Sequence, residues 1–197
     1  MTRAPAVLAI LALAAWRAGS CHGRTPAADP VPCAPAAGAL MDRGRAEGLA
    51  GEYRLTLVAS RGPRAGRSAS GRLVLRRFAG ATVAVPASPG ARYPLYGGAT
   101  LPLDSVGAVA PGDVGAADPS RPGVLVMEWR RTTPPPPGDQ ITLRFGADAN
   151  GRGPDRFDGA HLALSVAASS ARRFAGSWES GVPGGPQAGG YFCAERV

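Results

Sequence analysis

Few side chains in this 197-residue chain could do chemistry, and their spacing narrows which chemistry that is. Cysteines stand at Cys21, Cys33 and Cys193, and histidines at His22 and His161. No Cys-x-x-Cys and no Cys/His cluster occurs, so the pattern of a zinc or dithiol redox site is missing. The stretch from Asp148 through Asn150 to Asp155 resembles a calcium loop, in which oxygen ligands sit at alternate positions. Arg152, however, occupies a position that should supply oxygen, and no glutamate closes the run, so a hairpin loop is expected there. Asp155 and Asp158 form a carboxylate pair in the same turn-rich stretch, where acids are ordinary. His161 alternates with Leu162 and Leu164 and is expected to face solvent. A serine–histidine–acid site would need remote members, and neither Gly-x-Ser-x-Gly nor His-Glu-x-x-His is present. With no lysine at all, Schiff-base and phosphate-loop chemistry are excluded. The reading is a non-enzyme with no metal and no cofactor, with a hydrolase using His161 and a remote acid as the third alternative.

Cys21 follows what reads as an export signal. Arg3 gives a positive start, residues 6–16 (AVLAILALAAW) are apolar, and the small residues Ala18, Gly19 and Ser20 lead to the cysteine. A bilayer span needs roughly 20 apolar residues, so this shorter run predicts a cleaved signal over 1–20. The junction Ala18-Gly19-Ser20-Cys21 resembles the lipobox of bacterial lipoproteins, which implies a lipid on Cys21 and attachment to a membrane. Ala18 and Ser20 also suit the ordinary signal peptidase, which would leave a secreted protein. His22, where some diderm bacteria carry an inner-membrane retention aspartate, points toward the outer membrane or periplasm. If Cys21 carries lipid, Cys33 and Cys193 remain as one pair in an oxidising compartment. The alternative is a Cys21–Cys33 bridge with Cys193 free.

The charge of +8 comes from 22 arginines against 14 acids, and falls to about +6 once Arg3 and Arg17 leave with the signal. That balance is modest for a nucleic-acid binder, and export disfavours that partner further. Arginine, alanine, glycine and proline all use GC-rich codons, which accounts for much of the arginine content. Residues 21–47 carry Pro26, Pro30, Pro32 and Pro35 and read as a disordered tether.

From residue 48 onward the hydropathy alternates with period two. Tyr53, Leu55 and Leu57 share one face of the first run, and Leu73 and Leu75 one face of the second. A third run between Tyr93 and Leu103 is broken by Pro94 and Pro102, as an edge or bulged strand would be. Leu125, Met127 and Trp129 suggest the inward face of a fourth strand. Ile141, Leu143 and Phe145 mark a fifth, and Leu162, Leu164 and Val166 a sixth. Phe174, Gly176 and Trp178 mark a seventh, and Phe192 and Ala194 an eighth. Roughly eight consecutive strands with turn-rich connectors predict an all-β domain over 48–197, a single antiparallel up-and-down barrel, with a β-sandwich as the alternative. The connector 97–122 is long for a loop without structure of its own and is either a lid or a disordered tip; Leu101, Leu103, Val106 and Val109 give it enough apolar content to dock across a barrel mouth.

Gly176-Ser177-Trp178 resembles the Gly-x-Trp of the lipocalin and avidin (calycin) superfamily. There the tryptophan plugs one barrel end under a basic residue from another strand, a part the resemblance implies for Arg196 by cation–π contact. The superfamily places this motif on the first strand, which here carries Gly51-Glu52-Tyr53 instead.

Tyr53, Trp129, Phe145 and Trp178 are the large residues expected inside, lining either a small-ligand cavity or a packed core. The pairs Arg76-Arg77, Arg130-Arg131 and Arg172-Arg173 fall at strand ends that a meander brings to one barrel end, together with both chain termini. That placement holds only if one strand lies between Phe78 and Gly123, and would fail if residues 81–85 formed another. The sequence thus points to an exported, lipid-anchored, monomeric β-barrel of the cell envelope. It would bind a small apolar ligand or, alternatively, act as a filled-barrel module holding another envelope protein. The basic rim would face the membrane.

Overall fold

A computed structural model describes residues 33–35, 46–77, 91–110, 123–131, 138–146 and 159–197, all within one unit, Pro32–Val197. Eight strands follow one another: β1 (Gly51–Arg61), β2 (Ser68–Arg77), β3 (Ala91–Thr100), β4 (Gly123–Arg131), β5 (Gly138–Phe145), β6 (His161–Ser169), β7 (Arg173–Gly181) and β8 (Gln187–Arg196). Each pairs antiparallel with the next, and β1 closes the ring on β8. The fold is therefore a closed up-and-down barrel, without the free edges of a sandwich.

Alternation is the local cause. In β6 the burial pattern changes at every residue from His161 to Val166, with Leu162, Leu164 and Val166 inside and His161 on the outer face. The register carries this phase around the ring: Leu55 pairs with Ala194, Leu73 with Ala99, and Leu164 with Trp178. Side chains from every strand meet in one cluster, each removed from water. Burying an apolar side chain of this size stabilises by roughly 1.5–3 kcal/mol.

Pro94 lies where the β3–β4 register shifts between Arg92 and Leu95. Proline cannot donate a ladder hydrogen bond, so the chain bulges there, inside the closed sheet and not at an edge. Pro102 falls beyond the strand and precedes a 3-10 turn, Leu103–Val106. The β1–β2 turn uses Gly62 at φ +96°, where a Cβ would come within 2.7 Å of the Gln187 carbonyl oxygen. Glycine alone suits that backbone and that approach.

One phase differs from the sequence expectation. In β4 the buried inward set is Val124, Val126 and Glu128, paired with Phe145, Leu143 and Ile141 of the core face. Leu125, Met127 and Trp129 occupy the opposite phase, and Trp129 pairs with Gln140. The run is apolar on both faces, so the alternation itself cannot choose. The register with β5 chooses, and places a carboxylate inside.

Candidate functional site

The barrel has two unlike ends. The proximal end gathers the starts of β1, β3, β5 and β7 and the ends of β2, β4, β6 and β8. It is closed by a 3-10 turn, Ala46–Leu49, whose Ala46 and Leu49 are buried. Arg196 reaches back over this turn, donating to the Ala50 carbonyl at 2.9 Å and to the Tyr53 hydroxyl at 2.9 Å. Its guanidinium carbon stands 5.3 Å from the Tyr53 ring centroid. Tyr53 in turn meets Phe174 edge-on at 4.9 Å.

Arg196 therefore covers Tyr53, and not Trp178 as the Gly-x-Trp resemblance implied. Trp178 lies farther along β7, where its indole N–H donates to the Val58 carbonyl at 3.1 Å. The aromatic-under-arginine arrangement is built at Gly51-Glu52-Tyr53, on the first strand, with tyrosine in the tryptophan's place.

Beneath the plug, Arg92 serves two carboxylates. It pairs with Glu47 at 2.5 Å and with Glu128 at 3.6 Å. Glu128 is 2% exposed, and its second oxygen has no hydrogen-bond partner. Sequence reading missed this cluster; the signal was a lone acid inside an apolar strand. On the outer wall, Arg72 grips Glu52 with two hydrogen bonds. Those bonds hold the Glu52 carboxyl below its usual range and raise Arg72 above its own.

Cys33 and Cys193 form a disulfide, the pairing expected when Cys21 is set aside. Cys193 occupies the outward phase of β8 between Phe192 and Ala194, yet is 2% exposed. Arg173 of β7 donates to its sulfur at 3.0 Å, and the Arg173 Nε is buried without a partner.

The three arginine pairs do fall at the proximal end: Arg76-Arg77 closes β2, Arg130-Arg131 closes β4, and Arg172-Arg173 opens β7. Arg76, Arg77 and Arg172 are exposed, and Arg173 is half-buried. A single strand, β3, is described between Phe78 and Gly123, which sustains the parity; residues 81–85 lie outside the described residues.

The distal mouth is spanned by the segment after β3. Leu101, Leu103, Val106 and Ala108 are buried, and Val109 is exposed. The Ser180 hydroxyl fastens this segment by accepting from the Val109 N–H and donating to its carbonyl, both at 2.8 Å. Of the residues expected to line a cavity, Tyr53, Phe145 and Trp178 are buried in the core, whereas Trp129 has the opposite register phase. Grooves of about 400, 320 and 280 Å³ open along the barrel wall. The largest lies between Arg72, Arg76, Tyr96 and Thr100, where Gly98 contributes no side chain.

Among the described residues no group of three His, Cys, Asp or Glu side chains gathers as a metal site would require. His161 pairs in register with Gly181 on the outer wall. Cys21, His22, Pro134–Pro137 and the aspartates at 148, 155 and 158 lie outside the described residues.

The fold defines a small closed antiparallel barrel, an architecture that fits the calycin type. No family model matches the chain. No curated protein matches it. Among solved structures it is similar to two barrels described as "EF1p2_mFAP2b bound to DFHBI" and "a redesigned beta barrel, mFAP1, bound to DFHBI". The first is 12% identical over 77% of this chain and 96% of that one, with a TM-score of 0.38. The second is 13% identical over 77% and 97%, with a TM-score of 0.33.

Proposed function

We propose that this chain is an exported envelope protein, lipid-anchored at Cys21, whose barrel works from its outer surface with the proximal end toward the membrane. The observation that carries the reading is the common placement of both barrel termini and three arginine pairs at that one end. Each arginine near an anionic lipid surface contributes roughly 1 kcal/mol, so the rim would orient what the lipid tethers. Surface action is supported by the buried core, to which all eight described strands and both 3-10 turns contribute side chains. The partner that suits this reading is another envelope protein held on the outward-facing wall or the distal end.

The test replaces all six rim arginines by glutamate in mature protein carrying Cys21→Ser, and measures binding to anionic phosphatidylglycerol vesicles. At least a tenfold loss, with the cooperative unfolding transition retained, is expected; unchanged binding would sink the orientation. Mass spectrometry of the native N-terminus tests the lipid on Cys21 directly.

A second reading is a small apolar ligand inside the barrel. It is favoured by the distal segment, whose Leu101, Leu103 and Val106 fill space that a ligand could take if the Ser180–Val109 clasp opened. Titrating the tryptophan fluorescence of mature protein with fatty acids, retinoids and tetrapyrroles decides it. Saturable quenching supports a ligand, and a flat response supports the filled barrel.

A further inference from the structure

The arginine aimed at the disulfide gives it a direction of cleavage. We infer that Cys33–Cys193 is a thiol-exchange site for a dithiol reductant of the oxidoreductase class.

The two sulfurs are unequal. Cys33 is half-buried, and the neighbouring Ala34 and Pro35 are exposed. Cys193 is 2% exposed on the β8 wall, where Ala175 is its β7 register partner. Arg173 holds a guanidinium N–H 3.0 Å from the Cys193 sulfur, and its Nε has no other partner. A disulfide sulfur is a poor acceptor, whereas a thiolate accepts a charge-assisted bond. Arg173 is therefore placed for the state in which the bridge has broken. A groove of about 320 Å³, lined by Ala34, Pro35, Ala168 and Arg173 among others, gives a peptide-borne thiol a path along the wall.

The step balances as ordinary exchange. The reductant's thiolate attacks the Cys33 sulfur and forms a mixed disulfide. The Cys33–Cys193 bond breaks, and Cys193 departs as a thiolate paired with Arg173. The reductant's second thiol then releases Cys33 as a thiol, leaving the protein reduced by two electrons and the reductant oxidised to its disulfide. A stabilised thiolate is the faster leaving group, so Arg173 directs external attack to Cys33.

The experiment uses mature full-length protein with Cys21→Ser. Reduction by dithiothreitol, followed by alkylation and mass spectrometry, should run about tenfold faster in wild type than in Arg173→Gln, with Arg173→Lys between them. Equal rates overturn the proposal. A thioredoxin-type reductant lacking its resolving cysteine should trap on Cys33; trapping on Cys193 overturns it. The reduced protein should keep its cooperative unfolding transition; loss of the transition overturns the proposal. Because Cys21 is absent from every arm, finding no lipid on native Cys21 would remove the anchoring proposal and leave the exchange site standing.

Discussion

Arg196, the last residue of β8, lies over the ring of Tyr53 in β1, its guanidinium carbon 5.3 Å from the centroid and its Nη2 2.9 Å from the hydroxyl. One side chain thus joins the two ends of the chain where the barrel closes. It also ties down the proximal plug through the Gly48 and Ala50 carbonyls. Cation–π contact, hydrogen bonding and closure converge on a single guanidinium.

Removing each half of this contact should cost unequal amounts. Tyr53→Phe loses one hydrogen bond and keeps the ring, about 1 kcal/mol. Arg196→Leu also strips two backbone carbonyls of their donor and should cost about 2–3 kcal/mol. Urea unfolding of the two variants checks the order, and a larger loss for Tyr53→Phe would contradict it.

Glu128 predicts an inversion of the usual rule for ion pairs. Arg92→Leu leaves a buried carboxylate without its cation and should destabilise by about 1–3 kcal/mol. Glu128→Leu removes an oxygen that has no hydrogen bond and should be neutral or stabilising. In urea, the Arg92→Leu midpoint should fall while the Glu128→Leu midpoint should hold or rise.

Gly176 is required by space and not by backbone angle. A Cβ there would meet the Ser165 carbonyl oxygen at 1.9 Å and the Phe192 ring at 3.0 Å. Gly176→Ala should therefore destabilise by about 1–3 kcal/mol, measured as a fall in Tm; an unchanged Tm would show that β6 can move aside.

Ser180→Ala deletes both bonds to Val109 and should release the distal segment before the barrel. Hydrogen exchange of amides 101–110 should quicken at least tenfold while β1 and β8 amides stay protected. Uniform acceleration would mean that the segment is part of the global unit.

The Glu52–Arg72 pair sets a pH dependence of definite sign. Glu52 is lowered in the folded state from 4.5, so its contribution is fully present above about 4.5 and is lost as pH falls through the lower folded value. The Tm difference between wild type and Glu52→Gln should be positive at pH 7 and vanish toward pH 2. Both groups are exposed, so high salt should shrink the difference as well.

Much of the fold was legible because alternation is a local property. Leu55, Leu57, Leu73, Leu143 and Leu164 announce their face within their own strands, and the apolar run after β3 announced its docking on the distal mouth. The cysteine count anticipated the Cys33–Cys193 bridge on the condition that Cys21 be set aside, against a Cys21–Cys33 alternative. The less legible parts are those where a strand offers two faces or where a partner comes from afar. Val124-Leu125-Val126-Met127 is apolar in both phases, so the inward turn of Glu128 waits on its register with Ile141. Gly176-Ser177-Trp178 has the spacing of a calycin motif, yet the arginine cover goes to Tyr53 because β8 ends beside the start of β1.

Taken alone, the amino-acid sequence determined the strand count, the antiparallel order and which residues most strands bury, since period-two hydropathy and turn residues act over a few positions. Tertiary structure decided which aromatic Arg196 covers, which carboxylate enters the core and which cation faces Cys193. Those outcomes depend on contacts between residues as far as 143 positions apart, as from Tyr53 to Arg196, and no local pattern encodes the register that brings them together.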